Sequence, residues 1–325
     1  MKPGTHTNNN ILMTDSNQSR AFLFPGQGSQ SVGMGKDIAE KYPEARRTFE
    51  EADDALGYKL SQICFEGPED QLRLTEITQP AILTTSVAIL RVLETRMPKP
   101  AFVAGHSLGE YTAHVAAGTF SFADAVRTVR NRGKYMQEAV PVGVGAMAAI
   151  LGMLPDKVAG ICHDAAQGEV CEPANINSSE QIVISGNTAA VERAVKLAEE
   201  RGAKRAKLLP VSAPFHCSLM KPAQDRLETD LNALKMNPPA YPVACNVEAE
   251  LVTDVLRARD TLVRQVTGSV RWEQCVHLLI GKGVTTFVEV GPGKVLWGLM
   301  RQIDRSKSAQ NVSDDASLTK TLASL

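Results

Sequence analysis

Apolar residues in this chain fall in short runs separated by amphipathic stretches, a pattern that predicts strands alternating with helices. Ala21 to Phe24 reads as a strand ending in the turn-rich loop Pro25-Gly26-Gln27-Gly28-Ser29-Gln30, with a helix starting near Gly35. Helical spacing follows over residues 36–56 and 79–97. Ala101 to Ala104 is a second strand, Leu108 to Ala117 a helix, and 121–138 a further helix carrying Arg127, Arg130, Arg132 and Lys134.

Between about 145 and 212 the rhythm changes. Strands at Gly145 to Met153, Val170 to Asn177, Gln181 to Ser185 and Lys204 to Val211 interleave with helices at Pro155 to Ala166 and Ala189 to Arg201. Strand-helix-strand-strand-helix-strand is the ferredoxin-like unit, here inserted into a larger domain. Beyond it come a helix at 218–235, a Pro-rich link at 238–242, a strand into Asn246, helices at 255–267 and 272–281, and the strand Thr285 to Val290. Gly291-Pro292-Gly293 turns the chain into a last helix. The expected fold class is α/β: a large α/β-hydrolase-like domain with a parallel sheet over 21–143 and 213–303, and a ferredoxin-like subdomain over 144–212. Residues 1–20 are polar and read as a disordered extension, and Met13 offers a second start. Residues 304–325 read as a weakly specified polar tail.

Composition narrows the partners. At 325 residues with a net charge of −1, the chain has no overall attraction to nucleic acid or to an anionic membrane. No run of about 18 apolar residues is present, so no membrane span is expected. The six cysteines form no C-x-x-C pair, which suits buried free thiols in a reducing, cytoplasmic setting better than a zinc or disulfide framework. Nothing sets the oligomeric state, and a monomer is the working expectation.

The candidate chemistry centres on Gly105-His106-Ser107-Leu108-Gly109. A strand leading in and a helix leading out put Ser107 at the apex of a G-x-S-x-G elbow, at the positive end of a helix where N–H groups can bind an oxyanion. The spacing of His106, Glu110 and His114 invites a metal reading, but His106 falls on the elbow and the pattern is not H-E-x-x-H, so no metal is expected. His6 lies in the polar extension and His277 in mid-helix. His216, in Ser212-Ala213-Pro214-Phe215-His216, stands where the inserted unit returns to the main domain; it reads equally as a base or as a packed loop histidine. No acid between Ser107 and His216 follows a strand in a recognisable turn, which leaves a backbone carbonyl as a possible orienting group.

The stretches PGQGSQ, GHSLGEY, RNRGKYMQ, ANINS, SAPFH, VRQVTGSVRW and EVGPGKVL occur in this order. Together they resemble the malonyl-CoA:acyl carrier protein transacylases of type II fatty acid synthesis, from about Ala21 to Ile303. The resemblance implies that Ser107 is the acylated nucleophile, His216 its base, and the Gln265 main-chain carbonyl the group that orients the imidazole. It implies an oxyanion hole from Gln27 and the Leu108 N–H, Arg132 gripping the malonyl carboxylate, and Asn177 and Asn246 near the substrate pocket. In related polyketide synthase domains a Phe-His pair accompanies malonyl preference, so Phe215 is expected to narrow the space around the α-carbon. The implied substrates are malonyl-CoA and acyl carrier protein in a ping-pong reaction, with no cofactor. Carrier proteins are acidic, and Lys204, Arg205 and Lys207, on the edge of the inserted unit, are the first candidates for docking, with Lys294 and Arg301 as others. Three alternatives stay open: an acyltransferase for a polyketide synthase or malonate decarboxylase, a serine esterase, and an inactive carrier-binding module.

Overall fold

The computed structural model describes residues 19–211 and 213–324. The expected N-terminal extension, with His6 and Met13, lies outside the described residues except for its last two positions, and so does Ser212. In chain order the strands are β1 Arg20–Phe24, β2 Phe102–Gly105, β3 Gly145–Leu151, β4 Cys171–Ser178, β5 Gln181–Asn187, β6 Arg205–Leu208, β7 Val243–Ala244, β8 Leu251–Val252, β9 Thr286–Val290 and β10 Ser308–Val312.

Six strands form the main sheet in the order β10-β9-β1-β2-β7-β8. Its pairs are parallel except β7 with β8. β1 shows why it sits in the middle. Phe22 and Phe24 pack into the core on one face, and Ala21 and Leu23 into a second core on the other. A strand with four successive apolar residues, Ala21 to Phe24, can be covered by helices on both faces, as parallel sheets require. The helix Thr75–Leu93 is buried over most of its length against the first face. It begins before the position its spacing suggested and contains Pro80; burial of nearly the whole helix outweighs the local cost of a proline.

The other four strands make an antiparallel sheet in the order β4-β5-β3-β6. With the helices Pro155–Ala166 and Thr188–Glu200 they complete the ferredoxin-like unit, which has its own apolar core. It is fastened to the large sheet's side of the molecule through β4, where Ile176 N–H donates to Val270 O and Val270 N–H to Ala174 O.

The polar stretch after Asp304 is not a loose tail. β10 pairs with β9 along five residue positions, and Asp314 caps the helix Asp315–Leu322 in a reciprocal capping box with Ser317. An edge strand gains its order from main-chain hydrogen bonds, which a polar composition does not reveal; only Val312 of β10 is fully buried. Among the described residues no helix is long and apolar enough to cross a membrane, and all six cysteines are buried and free.

Candidate active site

Ser107 stands between the end of β2 and the helix Leu108–Ala116 with φ 51° and ψ −108°, a strained conformation for a residue with a side chain. The crossing is tight enough to demand glycine on both sides. A Cβ on Gly105 would lie 1.9 Å from Gly109 O, and one on Gly109 2.0 Å from Phe24 O at the end of β1. Side chains hold the strained turn: Asn246 Oδ1 accepts from Ser107 N–H at 2.7 Å, Asn246 Nδ2 donates to Gly105 O at 2.8 Å, and Gln265 Nε2 donates to Ser107 O at 3.0 Å.

The pattern Ser107-Leu108-Gly109-Glu110 has the spacing of a helix-capping box, yet Ser107 does not cap with its side chain. Its Oγ is 2.7 Å from His216 Nε2. His216 also has a positive φ, 60°, which swings its ring back toward the elbow. On the far side of the ring Nδ1 is 2.9 Å from Gln265 O and 3.2 Å from Gly268 O. Carbonyl oxygens only accept, so Nδ1 carries the proton and Nε2 presents its lone pair to Ser107. Burial, and then the charge of Arg132, push the His216 pKa down to about 3, which keeps the ring neutral and able to take a proton.

Arg132 enters the same site from the helix Phe122–Glu138. It is 1% exposed, whereas Arg127 and Lys134 face outward, paired with Asp124 and Glu138, and half-buried Arg130 lies over the ring of Tyr58. The sequence holds a signal for this difference, because Arg132 falls on the helix's buried stripe with Phe122, Ala125, Val126, Val129 and Met136. Arg132 Nη1 donates to Gln79 Oε1 at 2.8 Å, and Nη2 to Gln265 Oε1 at 3.0 Å and Ser107 Oγ at 3.1 Å. All these acceptors are neutral. Among the described residues no carboxylate is hydrogen bonded to this buried guanidinium, and its Nε has no partner. A desolvated cation so placed has the chemistry to receive an anionic group beside the Ser107 hydroxyl.

The loop after β1 starts beside the elbow, where His106 N–H donates to Phe24 O at 3.0 Å, and Gln27 is exposed on it. Leu108 is the first residue of the elbow helix, at the end where main-chain N–H groups lack intrahelical acceptors. Asn177, on β4, accepts at Oδ1 from the His106 Nε2–H at 2.8 Å and so ties the small sheet to the residue before Ser107. Asn246 is fully buried, with its amide engaged by elbow backbone; the structure places it under the turn rather than at a substrate-facing position. Phe215 is 8% exposed and belongs to the main core cluster.

His106, Glu110 and His114 have separate surroundings: His106 faces Asn177, Glu110 is bonded by Gln265 and Asn246, and His114 Nδ1 meets Thr119 Oγ1. Lys204 and Arg205 are exposed at β6, the outer strand of the small sheet, and Lys204 pairs with Glu180 at 2.9 Å. Gln79, Glu110, Gly268 and the side chain of Gln265 are site components that the motifs did not single out for this role. Gln265 lies 158 positions along the chain from Ser107, a juxtaposition that only the fold creates.

Comparison with known proteins agrees with this chemistry. The acyl transferase domain family matches residues 21–321. The malonyl CoA-acyl carrier protein transacylase of Salmonella typhimurium is 49% identical over 303 residues, covering 93% of this chain and 98% of that protein. That of Bacillus subtilis is 48% identical over 306 residues, covering 94% and 96% respectively. A malonyl-transacylase solved in complex with its holo type II PKS acyl-carrier protein superposes with a TM-score of 0.92 at 45% identity, covering 94% of this chain and 100% of that one.

Proposed function

The chain belongs to the acyl transferase domain family, and on that premise we propose that it moves a malonyl group from malonyl-CoA to the phosphopantetheine thiol of acyl carrier protein, in supply of fatty acid synthesis. The observation that carries this reading is Arg132, a buried guanidinium bonded only to neutral acceptors and 3.1 Å from the Ser107 oxygen. A malonyl thioester differs from an acetyl thioester by one carboxylate, and a guanidinium fork pairs with it through two charge-assisted hydrogen bonds.

In the proposed reaction His216 Nε2 takes the Ser107 proton while Oγ attacks the thioester carbon. The oxyanion is held by the Leu108 N–H and by Gln27. The tetrahedral intermediate collapses, the C–S bond breaks, and the sulfur leaves with the proton from His216 as coenzyme A thiol. The carrier protein's thiol then gives its proton to His216 and attacks the malonyl ester; the C–O bond to Ser107 breaks, and Oγ takes that proton from His216 to restore the serine. Gln265 O and Gly268 O take up the charge on the imidazolium at Nδ1, the place an acid fills in esterases of the α/β-hydrolase type. Only protein groups and the two thioester partners take part, with no metal or cofactor, and the six buried free thiols suit the reducing cytoplasm. Phe215 limits the room beside the α-carbon, and Asn177 steadies His106 at the pocket edge.

The carrier protein is assigned to the exposed edge of β6. Ile176 on β4 is in register with Ile182, Ile182 with Ile150, and Ile150 with Ala206. Three strand spacings, about 14 Å, therefore separate β4 beside the elbow from Lys204 and Arg205, a span that a flexible prosthetic arm bridges.

The test is transfer itself: malonyl-CoA, holo carrier protein and enzyme should give malonylated carrier protein, and Ser107→Ala should give none. The likeness to a transacylase solved with a PKS carrier favours a second reading, the same transfer to a polyketide carrier, which relative kcat/KM with the two carriers separates.

A further inference from the structure

Beneath the elbow lies a carboxylate that the reaction above does not use. Glu110, in the first turn of the helix Leu108–Ala116, is fully buried. Its Oε2 accepts from Gln265 Nε2 at 2.7 Å and from the Asn246 main-chain N–H at 3.0 Å. Each of these two residues reaches the nucleophile: Asn246 Oδ1 takes the Ser107 N–H, and Gln265 Nε2 also donates to Ser107 O. Gln265 in addition offers Oε1 to Arg132 and its main-chain oxygen to His216 Nδ1. Nucleophile, base and buried cation are thus each one residue removed from a single carboxylate.

The geometry points to Glu110 as a positioning residue, which fixes Gln265 and Asn246 and through them the mutual placement of Ser107, His216 and Arg132 during acylation. This rests on the acyl-transfer reading above. A buried carboxylate with no bonded cation is costly to keep for packing alone, and Oε1 of Glu110 has no partner at all. As an anion it makes charge-assisted bonds, roughly twice as strong as neutral ones.

Burial raises the Glu110 pKa to about 7, against the lowering effect of the bonds from Gln265 and Asn246 and of the Arg132 charge. The other titratable groups around it are Tyr111 on its own helix, Arg132 on Phe122–Glu138, Cys245 after β7 and Cys275 on Trp272–Gly281. Burial raises the tyrosine and both thiols, so near neutral pH they stay uncharged. His216 is neutral down to about 3. Acylation that weakens as pH falls through about 7 therefore reports Glu110 and not the base.

The experiment follows acylation of Ser107 by malonyl-CoA against pH in the full chain, in wild type, Glu110→Gln and Glu110→Asp, after cooperative thermal unfolding has shown that each variant is folded. Glu110→Gln is expected to lower the maximal acylation rate about 10- to 100-fold with half-saturation within about 2-fold, the signature of lost alignment. Its pH profile should lack the limb near 7, and Glu110→Asp should recover part of the rate. A folded Glu110→Gln acylated at the wild-type rate would overturn the inference, and so would a wild-type profile that is flat from about pH 8 to pH 5. That wild-type profile decides alone if the variants do not fold. A wild type that malonyl-CoA leaves unmodified counts against the acyl-transfer reading instead, and the same comparison is then read from Ser107 labelling by a fluorophosphonate, which needs the nucleophile but no malonyl group.

Discussion

Arg132 and Ser107 are hydrogen bonded to each other, Nη2 to Oγ at 3.1 Å, so the buried cation and the nucleophile form one unit. On the proposed reading, selection of the acyl group and activation of the serine are coupled. Arg132→Ala should lower kcat/KM for malonyl-CoA by roughly two to three orders of magnitude, since leaving a desolvated carboxylate without its partner costs about 2 to 5 kcal/mol. Arg132→Lys should restore little, because one ammonium cannot serve Gln79, Gln265 and Ser107 in the directions that the guanidinium fork does. Steady-state kinetics with malonyl-CoA and acetyl-CoA provide the check; an unchanged ratio between the two substrates would remove Arg132 from selection.

The crossing at the elbow leaves no room for a methyl group. Gly109→Ala would push a Cβ to 2.0 Å from Phe24 O, main-chain atoms that cannot swing aside. Overpacking of this kind costs about 1 to 3 kcal/mol or more, and here it also displaces Ser107. Thermal unfolding should show a lowered Tm together with lost acylation, whereas a fully active, equally stable variant would mean that the crossing is looser than described.

Asn246→Ala removes the acceptor of the Ser107 N–H while leaving Gln265 and His216 in place. An unsatisfied buried donor costs about 1 to 3 kcal/mol. The expected result is a fall of about tenfold or more in kcat, with KM for malonyl-CoA little changed. A rise confined to KM would assign Asn246 to substrate contact instead.

Histidine burial also sets a pH dependence of stability. His114 is fully buried, its Nε2 has no partner, and desolvation lowers its pKa to about 3 from 6.5. A folded pKa below the unfolded one means that its contribution is fully present above about 6.5 and is lost as pH falls toward about 3. Urea midpoints should therefore drop on acidification, and His114→Gln should show a smaller drop over the same range. Equal slopes for the two proteins would contradict the assignment.

The edge of β6 presents Lys204, Arg205 and Lys207 together with Leu208, which is 42% exposed. Reversing Lys204 and Arg205 to Glu should raise KM for carrier protein several-fold, more at low salt than at high. The half-reaction with malonyl-CoA should not change. If KM for the carrier is unaltered, docking occurs elsewhere on the surface.

How much of this was legible in the sequence depends on the range of the interaction. β1 was readable because Ala21, Phe22, Leu23 and Phe24 are apolar on both faces, and the small sheet because its strands and helices alternate cleanly. β10 was not, since Ser308–Val312 is held by main-chain pairing with β9 and carries mostly polar side chains. Ser107 was marked by local glycines, and His216 by its place at a domain junction and by a family resemblance. What could not be read was the layer beneath them. Gln79, Glu110 and the Gln265 side chain acquire meaning only when chain segments far apart meet, and the Ser-x-x-Glu spacing of Ser107 and Glu110 imitates a simple helix cap.

The central claim is that Ser107, deprotonated by His216 and flanked by Arg132, is acylated by malonyl-CoA. Intact-protein mass spectrometry after brief mixing with malonyl-CoA tests it most directly. A single malonyl adduct on the wild type, absent from Ser107→Ala and strongly reduced in Arg132→Ala, is the predicted result. An adduct that persists in Ser107→Ala, or a wild type that acetyl-CoA acylates as readily as malonyl-CoA, would contradict it.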